Sequence, residues 1–123
     1  MSNSRKGFTL IELLVAMTIV AVLMGLALIS YQGARKIARD GKRKTDLEGV
    51  RGALEMYRAD NGEYPGGLSD LGGYITVPQD PATGDNYPYN SDTASTYELC
   101  ADLEINGPDS CTVGTGDYVV RNP

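Results

Sequence analysis

From Phe8 to Ile29 the chain runs 22 residues with a single charge, Glu12. Coiled as a helix at about 1.5 Å per residue, this run reaches roughly 33 Å, enough to cross the ~30 Å hydrocarbon core of a bilayer. Ahead of it lies a polar stretch, Met1 to Gly7, carrying Arg5 and Lys6. Bases before an apolar run are the pattern of a secretory signal or of an anchor held positive-inside. The run is longer than the core of a secretory signal, about 7–15 residues, and no Ala-x-Ala-like site closes it. The carboxylate is the more telling departure. An ionised Glu inside a membrane segment costs at least ~2.5 kcal/mol, so it demands a partner.

The residues around that Glu carry a resemblance. Lys6-Gly7-Phe8-Thr9-Leu10-Ile11-Glu12-Leu13-Leu14 resembles the prepilin cleavage and methylation motif of type IV pilins and of the pseudopilins of type II secretion. The likeness is close over about residues 5–30 and fainter as far as Tyr64-Pro65. It implies that a membrane peptidase cuts between Gly7 and Phe8 on the cytoplasmic side and methylates the new terminal Phe8. It implies too that Glu12 serves assembly. Elementary electrostatics agrees. Such a cut creates an amine on Phe8, one helical turn from Glu12, and neither charge can stay unpaired in lipid. If identical chains stack with an axial offset, Glu12 of one meets the Phe8 amine of its neighbour. The plainer alternative is an anchor whose Glu12 lies shallow enough to be wetted among headgroups.

Charge is sorted along the rest of the chain. The formal net charge is −5, but residues 30–58 hold eight Lys/Arg against four Asp/Glu, while residues 59–123 hold eleven Asp/Glu against Arg121 alone. The basic block sits next to the membrane on the exported side, where the positive-inside bias does not account for it. In a filament it can meet acidic surfaces of neighbouring subunits. As a solvated helix face it would simply attract lipid headgroups.

No proline interrupts the chain before Pro65, so one helix is expected from about Thr9 to about Asp60. Leu47, Val50, Leu54 and Tyr57 recur at helical spacing and mark the side a globular domain should cover. Arg43, Glu48, Glu55 and Arg58 are expected to face solvent or neighbouring subunits. Asp60-Asn61-Gly62 is a C-cap, with Gly62 free to turn left-handed. Beyond it, Leu68 and Leu71 predict a single helical turn, Tyr74 to Val77 a short extended piece, and Tyr87-Pro88-Tyr89 the start of a sheet. Thr96 to Leu103 alternates as a half-buried strand, with Tyr97, Leu99, Ala101 and Leu103 on one face. Asp117 to Arg121 is the last strand. Cys100 and Cys111 lie beyond the membrane, where oxidation is expected, and predict a disulfide worth roughly 2–4 kcal/mol.

Function classes narrow quickly. With no histidine and no thiol–base pair, the common nucleophile sets are missing, and two thiols alone make no zinc site. Major pseudopilins often bind calcium, and Asp80, Asp85, Asp109 and Asp117 are oxygen donors of the right kind. Their spacing matches no calcium motif, so neither metal nor cofactor is expected. The acidic outer portion disfavours nucleic acid. The fold class expected is α+β: a long N-terminal helix, membrane-spanning in its first half, packed against a small antiparallel β-sheet in a pilin-like ladle. Its divisions are residues 1–7 as leader, 8–29 as the membrane and assembly half of the helix, 30–62 as the exposed half, and 63–123 as a small β domain with a disulfide-closed C-terminal loop. The function expected is a non-enzymatic structural subunit of a type IV pilus-like filament, favoured by the disulfide loop. The alternative is a pseudopilin of a type II secretion system, and a third reading is a non-polymerising anchored domain that binds a ligand. The partners implied are identical or homologous pilin subunits, prepilin peptidase, the inner-membrane assembly machinery and membrane lipid. The protein would be a single-pass inner-membrane protein first, then an extracellular or periplasmic filament.

Overall fold

The computed structural model describes residues 7–93, 95–105, 111 and 118–122. One helix, α1 (Leu10–Asn61), carries nearly half of the sequence, and the chain separates into two compact units, Met1–Arg35 and Lys36–Pro123.

In the first unit every described residue is exposed. Ile11 is 70% exposed and Leu28 65%, although both are among the residues that water most disfavours. Leu, Ile, Val and Met are exposed all round this stretch of the helix, which is long and apolar enough to cross a membrane.

The second unit closes on itself. The stripe Leu47, Val50, Ala53 and Leu54 of α1 is buried against Tyr64, Leu68, Leu71, Tyr87, Tyr97, Leu99, Ala101 and Val120. Three antiparallel strands supply most of the opposing layer, β1 (Tyr89–Thr93), β2 (Thr96–Ala101) and β3 (Tyr118–Arg121), in the order β1-β2-β3. The register sets Tyr89 opposite Leu99 and Leu99 opposite Val120, with an irregularity between Asn90 and Thr93. Alternation along β2 turns Tyr97, Leu99 and Ala101 inward as its sequence predicts, and Cys100, on the other face, is buried as well. This is the expected α+β arrangement, a small antiparallel sheet packed on a long N-terminal helix.

The ends of α1 stop for local reasons. Gly62 takes φ of +82°, and its N–H donates to the carbonyl of Arg58 at 2.7 Å, a left-handed C-terminal cap that glycine adopts without strain. The Asn61 side chain donates to the Tyr57 carbonyl at 2.9 Å. After the cap, a 3-10 turn at Leu68–Gly73 buries Leu68 and Leu71. Tyr74 to Val77 forms no strand; its Tyr74 and Ile75 N–H groups both bond back to the Leu71 carbonyl.

A core this small is built largely of tyrosines. Tyr64 and Tyr97 meet edge to face with ring centroids 4.7 Å apart, and Tyr57 and Tyr74 do so at 5.7 Å. Each buried ring keeps a partner for its hydroxyl: Tyr87 donates to Asp46 at 3.0 Å, Tyr89 to the Pro65 carbonyl at 2.8 Å, and Tyr64 to Glu55 at 3.0 Å. Burial drives the hydroxyls of Tyr87 and Tyr97 above their ordinary pKa, so they stay neutral donors.

Candidate functional site

The chemistry-bearing end of the chain is the start of α1. Gly7 has open space around it and Phe8 is 80% exposed, so the bond between them is accessible. Thr9 caps the helix. Its carbonyl accepts the Leu13 N–H at 3.2 Å, and its Oγ1 accepts the Glu12 N–H at 3.3 Å. Glu12 reaches back, its Oε2 accepting from the Thr9 N–H at 3.5 Å and the Thr9 hydroxyl at 3.3 Å. Reciprocal bonds between a cap and the third helical residue form a capping box, and a carboxylate in the first turn also complements the positive end of the helix dipole. The Glu12 Oε2 thus has a home within the chain, while Oε1 accepts nothing among the described residues. Thr9-x-x-Glu12 is legible in the sequence as a capping pattern, but reading Glu12 only for its membrane cost passes over it.

A second constellation lies in the outer unit. Arg43, expected to face outward, is 4% exposed. Its Nε donates to Asp80 at 2.6 Å, its Nη1 to Asp40 at 2.7 Å and to Glu104 at 3.1 Å, and its Nη2 to Asp80 at 3.1 Å. Arg39 adds a bidentate pair with Glu104 at 2.6 Å. Asp40 in turn accepts the backbone N–H groups of Glu104 and Ile105, and Asp80 those of Ala82 and Thr83. The guanidinium therefore ties helix, turn and post-strand segment together at one point. Stepping the apolar stripe back from Leu47 by four residues lands on Arg43, so its position is inward, and burial is tolerable because carboxylates meet every edge. The Arg43 bonds hold the Asp80 carboxyl at about 2, and the Arg39 bonds hold that of Glu104 at about 2. The carboxylates raise Arg43 further above its already high range. Glu55 and Arg58, also expected outward, are half-buried and clamp the Tyr64 hydroxyl from two sides. Glu48 is exposed as expected and accepts from Tyr118 at 3.0 Å.

Cys100 and Cys111 form a disulfide with Cα atoms 6.2 Å apart. Of the four aspartates weighed for calcium, Asp80 is engaged by Arg43, Asp85 is exposed, and Asp109 and Asp117 lie outside the described residues. Among the described residues, no group of three or more His, Cys, Asp or Glu is arranged to hold a metal ion.

Residues 2–28 match the family described as the prokaryotic N-terminal methylation motif. The chain is 33% identical to the type II secretion system core protein G of Vibrio cholerae over 87% of this chain and 89% of that protein. It is 33% identical to the protein of the same name from Dickeya chrysanthemi over 72% of this chain, a match spanning only 58% of that relative's length. A fimbrial protein of Neisseria meningitidis is 36% identical over 58% of this chain and 42% of its own length.

Proposed function

The chain belongs to the type IV pilin and pseudopilin family of structural, non-catalytic subunits, and on that premise we propose that it is a pseudopilin of a type II secretion-type system. The observation that carries this reading is the similarity to a core protein G along nearly the whole of both chains, helix and outer unit together. The fimbrial similarity covers a smaller share of each chain. A pilus-like fibre is the second reading, supported by the Cys100–Cys111 disulfide and that fimbrial relative. A disulfide discriminates weakly, because any small exported domain gains from one.

In this proposal the membrane-anchored precursor is cut between Gly7 and Phe8 by prepilin peptidase, and Phe8 is methylated. The new amine then stands one residue ahead of the Thr9 cap. Before assembly the Thr9–Glu12 box shelters the carboxylate. On assembly its open oxygen receives the Phe8 amine of an adjacent subunit, so two charges leave lipid as a pair. The apolar side chains of residues 10–30 pack on those of other subunits, and the inner-membrane machinery drives the growing periplasmic filament. Deleting the gene separates the two assemblies. Loss of protein export with surface fibres unchanged supports the secretion reading; loss of surface fibres with export intact transfers the protein to the pilus.

A further inference from the structure

Glu104 and Ile105 follow β2 and reach back to the cluster of charges on α1. The Glu104 carboxylate accepts from Nε and Nη2 of Arg39 at 2.6 Å each, and from Nη1 of Arg43 at 3.1 Å. The Glu104 N–H donates to Asp40 at 2.9 Å, and that of Ile105 does so at 3.2 Å. Upstream the segment is held by the sheet, where Cys100 stands opposite Val119 and Ala101 opposite Tyr118. Downstream the next described residue is Cys111, which lies 11 positions past Cys100 and whose bond to it returns the chain to β2. One hollow of about 290 Å³ is lined by Arg43, Asp80, Ala101, Asp102 and Cys111 among others, so the charge cluster and the disulfide border the same space.

Two closures thus act on one short stretch, a covalent one at its ends and an ionic one in its middle. With the sulfur bond open, the chain after Ala101 is tied at one end and loses backbone and side-chain freedom when Glu104 and Ile105 are fixed on α1. With the bond closed, much of that freedom is already gone, and the same contacts form more readily. We propose that the Cys100–Cys111 bond is a redox latch on the Arg39–Asp40–Arg43 cluster: closing it fastens Glu104 and Ile105 onto α1, and opening it releases them. Closure takes two electrons and two protons from the two thiols and passes them to a second disulfide, which is left as two thiols. Coupling is reciprocal, so the factor by which the bond favours the charge cluster is the factor by which the cluster favours the bond. The latch does not depend on whether the chain polymerises. On the reading above, it shuts once the outer unit has left the reducing cytoplasm.

The test equilibrates the full chain, in detergent, with glutathione and glutathione disulfide, and reads the oxidised fraction by mass after thiol blocking. Glu104→Gln keeps the size of the side chain and removes the charge that Arg39 and Arg43 meet. It is expected to lower the oxidation constant about fivefold, the low end for coupled sites, because Glu104 keeps 23% of its side chain in solvent. Arg39→Gln, which removes the pair from the α1 side, shifts the constant the same way. Tyr64→Phe removes a hydroxyl bonded to Glu55, about 18 Å along α1 from Arg43, and leaves the constant unchanged. A second measurement needs no substitution. Reducing the wild-type chain speeds hydrogen exchange at the Glu104 and Ile105 amides about fivefold, while the Gly62 amide, bonded to the Arg58 carbonyl, keeps its rate. Exchange that does not change on reduction, or an oxidation constant that does not change in Glu104→Gln, overturns the latch. Equal shifts in Glu104→Gln and Tyr64→Phe overturn it too, since the disulfide then follows stability in general. None of these results bears on the filament reading.

Discussion

The two units of the chain satisfy water in opposite ways. Residues 10–30 present apolar side chains in every direction and bury none, whereas residues 36–122 enclose Leu47, Leu54, Leu71 and Leu99 completely. The polar residues are treated just as differently. In the first unit the single carboxylate, Glu12, has one oxygen that accepts nothing among the described residues. In the second, Arg43 is surrounded by Asp40, Asp80 and Glu104 until it has no reason to seek an outside partner. The described part of the outer unit encloses its own core, whereas the described residues of the first bury no apolar side chain. That contrast is what the proposed anchored, polymerising subunit requires.

Breaking the first half should leave the second intact. Glu12→Ala removes the carboxylate to which we assign the assembly contact, and polymer is expected to fall at least tenfold, read by cross-linking in membranes. The unfolding temperature of the outer unit should not move, and a shift there would contradict the division. The reverse experiment is Arg43→Met, which keeps the aliphatic bulk but leaves the buried Asp40 and the half-buried Asp80 without their cation, while Glu104 keeps Arg39. Stability should drop by about 3–5 kcal/mol in denaturant titration, as when one partner of a buried pair is removed. Membrane insertion and processing should continue.

Smaller effects sharpen the same contrast. Replacing Cys100 and Cys111 with alanine should cost the outer unit roughly 2–4 kcal/mol, and reductant should cost the wild type the same. Acid should weaken the outer unit through two of its carboxylates. Asp80 and Glu104 have folded pKa values depressed to about 2 from ordinary values of 3.8 and 4.5. Their contribution is therefore fully present above pH 4.5 and is lost as the pH falls toward about 2. The unfolding temperature should be level from pH 7 to 5 and decline below that, and in Arg43→Met the acid-dependent step should shrink.

Much of this is legible in the sequence. An unbroken apolar run with one Glu, the helical stripe from Leu47, the Gly62 cap and the alternation of β2 are all local signals, written within a few residues of where they act. What escaped is non-local. Arg43 looks like a solvated base because its partners Asp80 and Glu104 lie 37 and 61 residues away, and spacing says nothing about which loops return to a helix. Its place on the stripe was visible; the charge argued against trusting it. Glu55 and Arg58 misled in the same way, since their partner is the hydroxyl of Tyr64 across the helix end. At the N-terminus the pattern Thr9-x-x-Glu12 was local and readable, yet one carboxylate can serve a cap within its own chain and a neighbour's amine in turn.

The most direct test of the central claim, that this is a processed, polymerising member of its family, is the intact mass of the chain recovered from membranes. The expected polypeptide begins at Phe8, heavier by one methyl group and lighter by the two hydrogens of the Cys100–Cys111 bond. A chain still carrying Gly7 and the residues before it, in cells that possess the peptidase, would contradict it.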